Sequence, residues 1–232
     1  TRRFVYDPSR PLEWEVYCET MKIIRINTES PLYAETERIW LGSFPENERR
    51  DVGLHRAAVD GDGRFFYNAV IEDDSIGDCR DADDAAAVSN AQNPGGEKTN
   101  CASSEIVGRC RVIGMISWWA LDGMAYGEHF AMSPFVRGQG LGEKVFKEVT
   151  GEFLAQGLPF VFEVEAPSPD NPVAARRIRF YERCGMHLLD YPYFQPPYRK
   201  GDAPVPMRLM SSDPSVVPSR AVALIRTVYP AV

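Results

Sequence analysis

Gly138, Gly140 and Gly142 alternate in a loop that follows an apolar segment and precedes a run with Val145, Phe146 and Val149 on one helical face. Glycine admits positive φ and puts no Cβ between the backbone N–H groups and a ligand. At a helix N-terminus those N–H groups and the helix dipole favour an anion, so the loop is a candidate phosphate or pyrophosphate site. Spacing separates the versions of such a loop. A Walker A loop ends in Gly-Lys-Ser/Thr; here Gly142 is followed by Glu143, and Lys144 by Val145, which excludes it. A dinucleotide fingerprint needs G-x-G-x-x-G and an acid near the end of the next strand. The third glycine comes one residue early for that, although Glu163 and Glu165 stand where the acid belongs. The pattern Arg/Gln-x-x-Gly-x-Gly/Ala fits Arg137, Gly140 and Gly142 without a gap. A glycine-rich loop with no ligand is the remaining alternative.

A second constellation follows the next apolar strand. Residues 176–186 read Arg-Arg-Ile-Arg-Phe-Tyr-Glu-Arg-Cys-Gly-Met. With Phe180, Tyr181 and Gly185 in this order after the glycine loop, the chain resembles the GNAT superfamily of acyl-CoA N-acyltransferases over roughly residues 21–210. It is most similar to a bacterial branch with a Phe-Tyr-Glu-Arg motif and a Gln-Pro-Pro-Tyr segment, here ending at Tyr198. The resemblance implies transfer of an acetyl group from acetyl-CoA, as co-substrate, to a primary amine by direct attack, the acceptor being a small molecule or a peptide. It implies that Arg137, Gly138, Gln139, Gly140, Leu141 and Gly142 hold the CoA pyrophosphate. It implies that the backbone of Phe130, Ala131 and Met132 pairs with the pantetheine arm, with the Met132 N–H available as an oxyanion donor. Tyr181 then protonates the departing thiolate or positions the sulfur. Many relatives carry an Asn seven residues before this tyrosine; the position is Ala174 here, and Asn171 lies three residues earlier. A non-catalytic acyl-CoA-binding or sensing domain would keep the loop without needing Tyr181 or an acid.

Amine acylation requires a neutral nitrogen, a donor for the oxyanion and a proton for the leaving thiolate. Glu128 stands in an otherwise apolar strand, where an acid is costly to bury without a purpose. It lies four residues before Met132, so a period of two puts the pair on one face and His129 on the other. The resemblance implies that Glu128 removes the amine proton through water; a structural salt bridge is the alternative reading. His55 and His187 have no partners at metal or triad spacing, and no metal site is expected. Trp118, Trp119, Tyr126, Tyr191, Tyr193, Phe194 and Tyr198 are candidates for an acceptor cleft or for core, with residues 191–198 as the cleft wall.

These residues must be carried by strands and helices. Apolar patterning predicts strands at 21–26, 64–72, 107–120, 125–132, 158–165, 186–190 and 205–209. It predicts helices at 31–40, after the glycine loop to about Ala155, at 173–184 and after Pro218. Ser43 reads as a cap or turn leading into a further short helix. Strands before residue 125 have no crossover helices between them, which argues against a nicotinamide- or flavin-binding domain of repeated strand–helix units. The order predicts an α/β fold, a GNAT-like mixed central sheet splayed at the cofactor with helices on both faces. Residues 21–232 read as one domain. Residues 1–20 read as an N-terminal extension, because Met21 resembles a translation start. Residues 73–104, rich in Asp, Ala, Asn, Ser and Gly, read as a mobile insertion.

Composition sets the outer bounds. The chain has 232 residues, 44% of them hydrophobic, enough for a core. It has no apolar run long enough for a transmembrane helix and no basic-then-apolar leader pattern. Its five cysteines are scattered, without a C-x-x-C pair, which points to reduced thiols and a cytoplasmic location. A net charge of −7 weighs against nucleic acid and is compatible with a cationic acceptor. No membrane partner is expected, and the protein is expected to be a monomer or homodimer.

Overall fold

In a computed structural model, the described residues are 15–18, 21–73, 110–169 and 171–230. They form β1 (Glu15–Cys18), β2 (Met21–Arg25), α1 (Tyr33–Ser43), α2 (Val52–Gly61), β3 (Phe65–Asp73), β4 (Cys110–Leu121) and β5 (Met124–Met132). There follow α3 (Leu141–Ala155), β6 (Phe160–Glu165), α4 (Pro172–Arg183), β7 (His187–Leu188), β8 (Tyr193–Gln195), β9 (Val205–Ser211) and α5 (Pro218–Ile225). The strands make one sheet in the order β1-β2-β3-β4-β5-β6-β9-β7, with β8 also on β9. Only β5 and β6 are parallel, as the helical crossover α3 between them requires.

Two apolar layers cover the sheet. On one face Trp40 of α1, Val59 of α2 and Ile225 of α5 pack over Phe65, Trp119 and Tyr126. On the other, Val145, Phe146, Val149 and Phe153 of α3 and Ile178 of α4 pack over Ile116, Trp118, Phe160 and Phe162. The α3 residues recur at helical spacing, which is why this segment folds as a helix with one buried stripe. The mixed sheet with helices on both faces is thus the architecture expected from the order of elements.

The sheet opens in its middle. β5 and β6 pair only from Ala125↔Phe160 to Gly127↔Phe162, although β5 continues to Met132 and β6 to Glu165. Gly127 permits the last close approach: a Cβ there would lie 2.5 Å from the Phe160 ring. Immediately after it the register of β4 with β5 shifts, Ser117 pairing with His129 and Trp118 with Gly127, so Glu128 is the extra residue of a β-bulge. A bulge bends its strand and increases the local twist, and here it carries β5 away from β6.

Local differences from the sequence expectations have local causes. α2 is capped by Asp51, whose side chain accepts from the Gly53 N–H at 2.8 Å; Ser43 instead closes α1. Residues 15–18, inside the stretch read as an extension, form β1 and pair antiparallel with β2. The short β8 lies in the aromatic, proline-containing stretch read as a cleft wall. The segment read as a mobile insertion lies, apart from Asp73, outside the described residues. Among the described residues no helix is long and apolar enough to cross a membrane.

Candidate active site at the splay of the sheet

The splay holds a cavity of about 500 Å³, lined by the ends of β5 and β6, by α4 and by Arg137, which precedes the glycine loop. Its first wall is backbone. The Ser133 N–H donates to Ile113 O at 2.8 Å and so points toward β4. Backbone polar groups alternate in direction along an extended strand, which turns those of Phe130 and Met132 toward the opening that β6 has left. Ala131, between them, is turned to β4. Arg137 Nε donates to Met132 O at 3.0 Å, fixing the guanidinium at the strand end.

Beyond the strand end, Gly140 stands at the N-cap of α3 with φ 77° and no side chain caps the helix. Gly138 and Gly140 have no atom within 4 Å of the point a Cβ would occupy, so their loop faces open space. Gln139 is exposed and donates to Phe135 O at 3.3 Å, while Leu141 and Gly142 begin the helix. The open loop, the uncapped helix N-terminus and the adjacent Arg137 fit a pyrophosphate; the free strand edge fits an amide-bearing arm.

Tyr181 approaches from α4. Its ring packs on Phe146 and Phe162, with centroids 4.9 and 4.6 Å away. Burial pushes its phenol up to about 12, so it keeps its proton at neutral pH. The Asn171 carboxamide is the N-cap of α4, accepting from the Ala174 N–H at 3.2 Å, and Ala174 itself is buried.

The bulge corrects the strand-parity argument for Glu128. With an extra residue at that point, Glu128 and His129 lie on the same face, against Arg50 and Phe44 respectively. Met132 packs on the opposite face. The Glu128 side chain is fully buried. It accepts from Arg50 Nε at 2.9 Å, Trp119 Nε1 at 3.1 Å and Tyr198 Oη at 3.0 Å. Burial alone would raise its carboxyl; the Arg50 charge, His129 and the Trp119 hydrogen bond outweigh that and hold it at about 2. His129 is buried and, through burial, held below the usual imidazole range. Its Nδ1 and the Ser117 Oγ are buried without a hydrogen-bond partner among the described residues.

Glu163 is a different carboxylate. It lies on β6, half-buried, and opens into the cavity. Tyr193 donates to its Oε1, and the Tyr229 hydroxyl lies 3.1 and 3.0 Å from its two oxygens. Burial raises its carboxyl; the tyrosine hydrogen bonds pull it part of the way back, leaving it at about 7. The site therefore holds one carboxylate that stays ionised and one that exchanges a proton near neutrality.

The sequence model of the acetyltransferase (GNAT) family matches residues 32–186, more than half of the chain. The protein belongs to this family. Among solved structures, it is similar to a putative GNAT acetyltransferase from Bacteroides thetaiotaomicron, with 28% identity, 90% of this chain and 99% of that one covered, and a TM-score of 0.62. Arabidopsis thaliana NAA60, solved in complex with acetyl-CoA, shares the fold at 14% identity and a TM-score of 0.50, over 83% of this chain and 97% of that one. A comparison with curated proteins finds no match.

Within this GNAT domain the structure brings Arg137, the end of β5, Tyr181 and the backbone of Glu128 to one cavity, while Gly138, Gln139, Gly140, Leu141 and Gly142 lie outside its lining. Of the seven aromatic candidates for the cleft, Tyr198 lines it. Trp119 and Tyr193 stand behind the carboxylates as hydrogen-bond partners, Tyr126 bonds to the Tyr229 hydroxyl, and Trp118 stacks on Phe66 on the other face. Sequence reasoning weighed Glu163 only as a nucleotide ligand and not as a carboxylate titrating near neutrality in the cavity. The signal was available, because Glu163 is also an acid within an apolar strand. Arg50 and Tyr229 carry no local signal; they reach the site from 78 and 66 positions away in sequence.

Proposed function

We propose that this GNAT protein moves an acetyl group from acetyl-CoA to a primary amine of a small molecule or peptide, by direct attack, in the cytoplasm. The observation that carries this reading is the position of Glu163: a carboxylate titrating near neutrality, in the same cavity as the free edge of β5, Tyr181 and Arg137, the residue that leads into the open anion loop. Acetyl-CoA, when bound, supplies an acetyl thioester as electrophile. The N–H groups of residues 138–142 and Arg137 hold its pyrophosphate, and the backbone of Phe130 and Met132 pairs with its arm. Glu163 takes one proton from the acceptor ammonium, freeing the nitrogen lone pair for attack on the carbonyl carbon. Tyr181 Oη holds a proton on the α4 side and delivers it to the departing sulfur; the second proton shed by nitrogen refills the phenol. Glu163 then returns its proton to solvent. We assign Glu128 to anchoring rather than proton removal, because its charge is neutralised by Arg50 and its carboxyl is a weak base. A non-catalytic acyl-CoA-binding domain would have the loop and strand edge but no use for Glu163. The two separate on one assay. With acetyl-CoA and a panel of primary amines, free thiol should appear in an amine-dependent manner. Saturable acetyl-CoA binding without thiol release from any amine would favour the non-catalytic reading.

A further inference from the structure

The last described segment lies beyond residue 186, where the family match ends, yet it enters the site. The Tyr229 hydroxyl is 3.1 Å from the Tyr126 hydroxyl and 3.4 Å from that of Tyr198, besides its contacts with Glu163. Its ring stacks on Tyr198 with centroids 4.7 Å apart. Tyr198 in turn donates to Glu128. Arg50, which pairs with Glu128, also donates from Nη2 to Val228 O at 2.6 Å, holding the backbone that carries Tyr229. Tyr229 does not line the cavity; it stands behind Glu163.

We propose that Tyr229 is a positioning residue whose hydroxyl joins the two carboxylates in one hydrogen-bond chain, Glu163–Tyr229–Tyr198–Glu128, completed when Glu163 takes up a proton and the Tyr229 hydroxyl turns from Glu163 to Tyr198. The inference rests on the reading that Glu163 receives the amine proton. A phenol has one donor and two lone pairs, and the count closes in both states. With Glu163 ionised, Tyr126 donates to Tyr229, Tyr229 to Glu163, and Tyr198 to Glu128. With Glu163 protonated, its new O–H donates to the Tyr229 oxygen. Tyr229 then donates to the Tyr198 oxygen across the longest link, and Tyr198 still donates to Glu128. Tyr126 keeps its acceptor, because Tyr229 has a second lone pair. Tyr193 keeps donating to Glu163. This turn rotates the Tyr229 hydroxyl hydrogen and requires no heavy atom to move. It lets a largely enclosed carboxyl gain and lose a proton without stranding a buried donor, a loss that carries the full desolvation penalty.

The groups that bear on Glu163 come from several neighbouring elements. They are Tyr126 and Glu128 from β5, Tyr193 from β8, Tyr198 from the segment after it, and Tyr229, with Arg50 acting through Glu128 and Arg226 through Tyr193. Within this set, Tyr229 contacts both Glu163 and the Glu128 partner.

The test needs no acceptor. Carboxyl-13C glutamate NMR on the full free chain follows the titration of Glu163, assigned by its disappearance in Glu163→Gln. Tyr229→Phe keeps the ring and removes only the hydroxyl. It should move the Glu163 midpoint upward by about one pH unit, because a donor to the ionised form is lost. Tyr33→Phe removes a hydroxyl that serves Glu37 on α1 and should leave the midpoint in place. In the unsubstituted chain, 13Cζ-labelled tyrosine should show Tyr229 and Tyr198 shifting at the same midpoint as Glu163. That measurement decides if Tyr229→Phe does not fold. An unchanged Glu163 midpoint in folded Tyr229→Phe, or a Tyr198 signal that ignores the Glu163 transition, would overturn the chain. The absence of any glutamate titrating near neutrality would instead overturn the reading of Glu163 itself.

Discussion

The two sides of the splay are built from different material. On the α3 side the site is mostly backbone: two positive-φ glycines, an uncapped helix N-terminus and the free edge of β5. Apart from Arg137 and Tyr181, its side chains need only be small or apolar. On the side of α1 and α2 the site is side chains converging from distant segments: Arg50 before α2, Glu128 on β5, Glu163 on β6, Tyr198 after β8 and Tyr229 near the last described residue. A backbone site suits a ligand part that is common to every reaction of a family. A side-chain network can be rebuilt without disturbing that site, and it is where one member's proton chemistry and acceptor choice are set.

The division can be broken from either side. The largest expected effect is on the backbone side. Gly140→Glu puts an anion where the pyrophosphate belongs, at a φ of 77° that L side chains rarely adopt. Calorimetry should show acetyl-CoA binding lost in this variant while circular dichroism shows the fold retained; normal binding would end the loop assignment. A smaller effect, of a different kind, is expected from Arg50→Met. The buried Glu128 charge would lose its partner, and breaking such a pair typically costs about 3–5 kcal/mol. The sign with pH follows from the Glu128 carboxyl, held at about 2 against the usual 4.5. Its contribution to stability is complete above 4.5 and is lost as pH falls through about 2. Urea unfolding should therefore show a gap between the unsubstituted chain and Arg50→Met that is full at pH 7 and narrows in acid. A gap that does not depend on pH would mean that Arg50 acts through packing and its Val228 contact alone.

The same contrast explains what was legible in the sequence. The glycine loop, the following helix and the Tyr181 helix are local patterns, and the boundaries of α3 and α4 fall close to where apolar spacing put them. The bulge at Glu128 carries no mark of its own: Gly127-Glu128-His129 reads as ordinary alternation, and one inserted residue reverses every parity argument downstream. The split between Glu128 and Glu163 was illegible for a related reason. Both are acids in apolar strands; what separates them is whether Arg50 or a set of tyrosines closes over the carboxyl, and those partners are assembled only by the fold.

The central claim is that Glu163, not Glu128, takes the amine proton. Turnover against pH, using an amine found in the thiol-release panel, tests it most directly. A base with a midpoint at about 7 gives a rate that rises through that pH as it ionises. In Glu163→Gln that limb should vanish and turnover should fall by about a hundred- to ten-thousand-fold, the usual contribution of a general base. The deficit should shrink at high pH, where the amine deprotonates unaided. An unaltered limb in Glu163→Gln, or its loss in a folded Glu128→Gln instead, would contradict the account.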